Sequence, residues 1–164
     1  MEECLDIIND QDEVIGKAPK TEIYRSGHHH RIVHIILFNK DGKMLLQKRS
    51  KNKHMTAGAW VTSAGGHVTS GESYEQAAHR ELKEELGVDT DLTLRFTDSY
   101  TYPAGYNKKS IKKTLKTFVG THEGPFNIEP REVEEVRFFS LKKIREISPL
   151  HPELQYLMET HYQK

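Results

Sequence analysis

Three carboxylates, Glu81, Glu84 and Glu85, are spaced i, i+3 and i+4 within a segment of helical pattern. At about 100° per residue they share one helix face. Like charges this close destabilise a helix by roughly 0.2–0.5 kcal/mol per pair. They also lie toward the helix C-terminus, where the macrodipole disfavours negative charge. A chain that accepts both costs is expected to hold a cation there. Carboxylate oxygens suit hard Mg²⁺ or Mn²⁺, and Mg²⁺ commonly joins protein carboxylates to substrate phosphates. Taken alone, the trio is more often a solvated surface, partly neutralised by Arg80 and Lys83. The rest of the segment decides between the two.

The elements that must position these acids are legible around them. Ser73 and Gln76 form a capping box, and the helix runs on through Ala77, Ala78, Leu82 and Leu86 to a C-terminal cap at Gly87. Ala78, Leu82 and Leu86 lie on a neighbouring face that should pack into a core. Upstream, the β-branched run 32–38, the Asp41-Gly42 turn and residues 43–49 predict a β-hairpin. Trp60-Val61-Thr62-Ser63 reads as a short strand ending at Gly65-Gly66. Alternation returns at 92–102 and 114–120, and Val136–Phe139 reads as a last strand. Pro152–Tyr162 predicts a second helix, preceded by a shorter candidate at Leu141–Ile147. Residues 1–24 should add a strand or two. Strands interspersed with helices in this order predict an α/β sandwich.

At 164 residues the chain fits one domain, 1–164, with residues 1–30 as an extension packed on it. Lys plus Arg and Asp plus Glu balance at 24 each, so no global field draws nucleic acid or an anionic membrane. No apolar run approaches a membrane span, and no basic-then-apolar leader opens the chain. The lone Cys4 excludes an internal disulfide or a cysteine-based zinc site. A cytoplasmic protein is expected.

From Gly66 the chain runs five residues to Glu72, seven more to Arg80-Glu81-Leu82, one to Glu84-Glu85, and one to Gly87-Val88. This resembles the signature of the Nudix hydrolases at every fixed position across the 23 residues 66–88. The resemblance implies the Nudix α/β/α sandwich with a mixed central sheet, and a divalent-metal hydrolase. It implies that Glu81, Glu84 and Glu85 ligate the metal together with the Gly65 carbonyl. Glu72 would pair with Arg80, fixing loop to helix. One of the helix acids, or a later Glu, would orient or deprotonate the attacking water. Glu132 is the best match for that later Glu, because Glu132-Val133 before Val136–Phe139 resembles the family's Glu-Val and aromatic strand; Glu134 and Glu135 are rivals. The expected partner is a small diphosphate, nucleotide-like, and a homodimer is compatible with the family.

Asp12–Gly16, Tyr24–Arg31 and Gly65-Gly66-His67 look like the branch related to isopentenyl-diphosphate isomerase. Those isomerases use a Cys just before the equivalent of His67, where this chain has Ala64-Gly65-Gly66, so hydrolysis is the expected reaction. An isomerase, or a non-catalytic nucleotide- or RNA-binding module, are the alternatives. His30 and His67 match positions of the isomerase metal site, which leaves a second metal open beside the plainer reading of His67 as a pocket residue and His34 as satisfied within its strand. Lys48 and Arg49 are candidates for diphosphate contact. Trp60 reads as core, while Tyr100, Tyr102 and Tyr106 are open between stacking and packing. Specificity is expected in loops such as 102–107.

Overall fold

The run of β-branched residues becomes β3 (His30–Phe38), which turns through Asp41-Gly42 into β4 (Met44–Arg49). Gly42 takes φ 75°, and the Asn39 side chain accepts hydrogen bonds from the Asp41 and Lys43 amides, closing the turn. The computed structural model describes residues 1–53, 55–102 and 110–163. The two hairpin strands splay almost at once, since Phe38–Met44 is their one paired position. The gap is filled by the segment read from sequence as a single strand. Here the structure differs: β5 (Trp60–Val61) pairs with β4, and β6 (Ala64–His67) pairs with β3. Ser63 crosses between them. Its hydroxyl donates to the Leu45 carbonyl (2.6 Å) and accepts from the Leu37 amide (2.8 Å), tying the two strands where they part.

On its other edge β3 runs parallel to β8 (Ile111–Thr121), which pairs antiparallel with β7 (Thr93–Tyr102). β9 (Val133–Phe139) pairs antiparallel with β4 and completes a mixed seven-stranded sheet. Both faces of β3 are covered, which explains its nearly unbroken apolar run. Val33, Ile35 and Leu37 pack with Ala77, Ala78, Leu82 and Leu86 of α2 (Tyr74–Leu86). Ile36 packs on the opposite side with Ile144 of α3 (Leu141–Ile144) and with Leu154 and Met158 of α4 (Pro152–His161). This is an α/β/α sandwich. Trp60 lies in the second core, edge-on to Phe139 at 5.0 Å.

The N-terminal stretch forms a separate hairpin, β1 (Cys4–Ile8) with β2 (Val14–Pro19), followed by α1 (Lys20–Ser26). Asp6 on β1 accepts from Ser70 Oγ (2.6 Å) and the Gly71 amide (3.3 Å), which anchors the loop ahead of α2. No described helix is long and apolar enough to cross a membrane.

Candidate active site

The capping box foreseen at Ser73 and Gln76 is formed in both directions, and Gly87 closes α2 in the left-handed conformation (φ 68°). These caps set the phase of the helix, so that Leu82 and Leu86 enter the core while Glu81 and Glu85 line its edge. Both acids are nearly buried, at 9% and 8% exposure. Glu84, with a side chain 58% exposed, faces outward.

Arg80 organises the loop side of the site. Its Nε donates to Glu72 Oε1 (2.7 Å) and its Nη2 to Glu72 Oε2 (2.9 Å), a two-point grip that suits the planar guanidinium. Nη2 also donates to the His67 carbonyl (3.0 Å), while Nη1 reaches Glu81 (2.9 Å) and Glu84 (3.4 Å). Burial opposes charge on Glu72, but the hydrogen bonds from Arg80 and Thr69 outweigh it and hold its carboxyl below the usual range. Glu85 is held differently: its Oε1 accepts from the Gly65 amide (2.9 Å) and from Gln47 Nε2 (3.1 Å).

Burial raises the Glu81 carboxyl to about 7 even though Arg80 pulls it down. Glu85 is raised to about 8, first by burial and then by repulsion from Glu81. Both carboxyls are therefore costly to ionise unless a further positive charge joins them. Among the described residues no three His, Cys, Asp or Glu side chains already converge as a metal-binding group; Glu81 and Glu84 lean on Arg80 instead. The donor set nevertheless fits a hard divalent cation, because it consists of carboxylate oxygens. The backbone fits as well. A Cβ on Gly66 would lie 2.2 Å from Glu81 Oε1, so glycine is what lets the backbone and this carboxylate approach so closely.

The acids lie in a cleft of about 1,090 Å³. Arg49, Lys53, Lys20 and Arg131 supply positive charge to its walls, and Glu132 lines it, ion-paired with Lys53. Glu134 and Glu135 are engaged elsewhere, with Lys48 and Lys51 (3.8 Å each) and with Arg137 (2.9 Å). Adjacent residues on β4 point to opposite sides, which separates the two candidate diphosphate contacts. Arg49 lines the cleft, while Lys48 does not and pairs with Glu134. The expected pair of cationic contacts therefore narrows to Arg49.

Behind Glu85 the cleft opens into an inner chamber of about 140 Å³, also lined by Arg49, His67, Tyr24 and Tyr102. His67 Nε2 lies 2.6 Å from the Tyr24 hydroxyl, and its ring stacks on His30 at 5.5 Å. Burial holds both imidazoles below the usual range, His30 at about 3, and the Lys113 ammonium pushes each the same way. A second cation between these rings would face that ammonium. His29 reaches Thr114 (2.9 Å), and Tyr100 packs on Tyr156 at 5.1 Å. Tyr106 and the greater part of the loop 102–107 fall outside the described residues.

Sequence reasoning missed the floor of the chamber. Lys113 Nζ donates to Glu153 Oε2 (2.9 Å), and His34 Nε2 donates to Glu153 Oε1 (2.8 Å), with all three side chains under 10% exposed. One signal was present, since Lys113 shares its parity on β8 with Ile111, Leu115 and Thr117, the buried face of the strand. Glu153 gave none, because an acid in the first turn of a helix is ordinary.

The family model of the NUDIX domain matches residues 28–160. The chain belongs to the NUDIX domain family. An isopentenyl-diphosphate Delta-isomerase 2 of Photorhabdus laumondii subsp. laumondii is 36% identical over 146 residues, covering 88% of this chain and 81% of its own. An uncharacterized Nudix hydrolase of Listeria monocytogenes is 38% identical over 142 residues, covering 85% and 80%. The crystal structure of DR0079 from Deinococcus radiodurans matches the fold with a TM-score of 0.79 at 27% identity, covering 98% of this chain and all of that one (100%).

Proposed function

We propose that the chain hydrolyses a phosphoanhydride bond in a small diphosphate compound, a nucleoside diphosphate linked to another group being the expected class. The observation that carries this reading is the placement of Glu81 and Glu85. They are two buried carboxylates with, among the described residues, only Arg80 paired to them, set against bare glycine backbone. The walls of their cleft carry Arg49 and the ion pairs Lys20–Glu3, Lys53–Glu132 and Arg131–Glu129. Glu81, Glu84 and Glu85, with the Gly65 carbonyl, would hold Mg²⁺ or Mn²⁺. Such an ion neutralises phosphoryl oxygens and lowers the pKa of a bound water.

The remaining roles fall to the chain itself. Arg80 and Glu72 clamp the loop onto α2, so that Gly65 and Gly66 stay at contact distance from the acids. Arg49 offers a guanidinium to the diphosphate. Glu132, across the cleft, accepts the proton of the attacking water as its oxygen bonds to phosphorus. The bridging P–O bond breaks, and the second phosphoryl group leaves with that oxygen. The protein would act in the cytoplasm on a small molecule, alone or as a homodimer, without nucleic acid or membrane as partner.

One relative favours a second reading, since the Photorhabdus isomerase aligns over most of the chain. That chemistry lacks its thiol here: Ala64-Gly65-Gly66 stand in β6, and Cys4 is exposed on β1. The deciding experiment screens nucleoside di- and triphosphates, nucleotide sugars, dinucleotides and isopentenyl diphosphate with Mg²⁺ or Mn²⁺. Metal-dependent release of a phosphorylated product supports the hydrolase. Allylic product without released phosphate would establish the isomerase instead, and tight binding without turnover would establish a binding module.

A further inference from the structure

We propose that Lys113, fixed by Glu153 in the chamber behind Glu85, selects the non-phosphate group of the substrate, admitting a compact polar group rich in hydrogen-bond acceptors and rejecting a prenyl chain. The proposal rests on the hydrolase reading for the place of the diphosphate. Glu85 and Arg49 line both the cleft and the chamber, so a diphosphate at the acids points its substituent inward.

The walls define what enters. A buried ion cluster is costly to desolvate, and an apolar core would be at least as stable. Lys113, Glu153 and His34 nevertheless stand where β8, β3 and α4 meet, beside open space. The Lys113 ammonium carries three N–H donors and gives one to Glu153. Its Nζ also lies 5.6 Å from the Tyr24 ring centre and 5.4 Å from that of Tyr102, so aromatic faces hold it in place between them. His151 adds a second donor. The Glu153 amide donates to its Nδ1 (3.1 Å), which leaves the proton of the neutral ring on Nε2. Arg49 adds a third at the mouth.

The chamber sets the donors of Lys113, His151 and Arg49 against apolar walls of Ile32, Val33 and Val61, which matches a flat ring with carbonyl oxygens and ring nitrogens such as a nucleobase presents. A hydrocarbon chain would strip water from Lys113 and His151 and return no acceptor, which is a strong basis for rejection. The two tyrosines and the small volume add a limit on size.

The test measures binding and turnover together, on the full chain with Mg²⁺. Its probes are methylenediphosphonate analogues of the four nucleoside diphosphates, of dimethylallyl diphosphate and of methyl diphosphate. Wild type should bind at least one nucleoside analogue more tightly than the methyl and dimethylallyl analogues. Lys113→Met should weaken that binding roughly 10- to 100-fold, the worth of a hydrogen bond to a charged group, and leave the methyl analogue unchanged. In turnover of the cleavable diphosphates the same variant should raise KM for the nucleotide more than it lowers kcat.

Tyr102→Leu keeps the Lys113–Glu153 pair and removes one wall, so it serves if Lys113→Met fails to fold; it should weaken the nucleoside analogue and spare the methyl one. Equal losses on both analogues would mark a merely structural role and overturn the proposal, as would tighter binding of the dimethylallyl analogue by wild type. If the binding pattern holds but no diphosphate is cleaved, the hydrolase reading falls while the selectivity of the chamber stands.

Discussion

The backbone of Gly66 passes so close to the carboxylate of Glu81 that an added Cβ would lie 2.2 Å from Oε1 and 2.9 Å from Oε2. The obstructing atoms are the end of a flexible side chain, so Glu81 can swing aside without disturbing the core. Gly66→Ala should therefore keep its melting temperature within a few degrees of wild type, about the effect of 1 kcal/mol in a domain this size. Its metal-dependent turnover should fall at least roughly tenfold as Glu81 leaves its place. A thermal scan beside a kinetic assay separates the two. Full activity in a folded Gly66→Ala protein would show that the position of Glu81 is immaterial.

Removing charge from the acids without changing their shape tests their role directly. Glu84→Gln and Glu85→Gln should each lower turnover at least roughly a hundredfold, as expected when metal-held transition-state stabilisation is lost. Steady-state kinetics with saturating Mg²⁺ give the answer, and wild-type rates in both variants would remove these residues from the mechanism.

Binding of a divalent ion to the native state alone must also stabilise it. At a hundredfold excess over Kd the gain is about 2.7 kcal/mol, or roughly 5–10 °C in melting temperature. Mg²⁺ should raise the transition of the wild type, EDTA should reverse the shift, and Glu85→Gln should shrink it. Identical curves with and without the ion would argue against a site at these carboxylates.

The Arg80–Glu72 clamp is two-pronged, with contacts of 2.7 and 2.9 Å. Lysine keeps the charge and loses the fork. Arg80→Lys is expected to cost about 1–3 kcal/mol of stability, the scale of a lost hydrogen bond between charged groups, and to reduce activity as the loop loosens. Urea unfolding measures the first effect, and an unshifted midpoint would mean the clamp contributes little.

Two sets of buried groups pull the pH dependence of stability in opposite directions. Burial is the leading cause that lowers His30 to about 3 and His151 to about 4, from an ordinary value of 6.5. Below that ordinary value these imidazoles are protonated in the unfolded chain and neutral in the native one, so their contribution to stability rises with pH up to about 6.5 and levels off above it. Each group can contribute as much as ~1.4 kcal/mol per pH unit inside its window. Glu81 and Glu85, raised to about 7 and about 8, act in the opposite sense and favour the native state as pH falls below about 8. The imidazole effect is therefore read in the Glu81→Gln, Glu85→Gln double variant. Its urea midpoints should be level from pH 7 to 8 and drop between pH 6.5 and 5. A level midpoint throughout would indicate that these imidazoles are hydrated in the native state.

Much of this architecture is readable without coordinates because it is local. The capping box at Ser73, the 3.6-residue spacing of Leu82 and Leu86, the stop at Gly87 and the Asp41-Gly42 turn each depend on residues within a few positions of one another. The split of the segment 60–67 into β5 and β6 is not readable in this way. It depends on how far β3 and β4 diverge, and on Ser63 bridging them from 18 residues beyond Leu45.

The sequence by itself determined that an acidic, capped helix follows a bare glycine turn, since periodicity and turn chemistry act over single turns of chain. Only the tertiary structure decided that Glu132 rather than Glu134 or Glu135 faces those acids, and that Arg49 rather than Lys48 does. Parity along a strand distinguishes two faces, but the pairing of β9 with β4 and the packing around them settle which face meets the cleft. The same holds for Lys113 and Glu153, 40 residues apart. Nothing local marks them as partners, and the fold joins them because a buried ammonium needs a buried carboxylate.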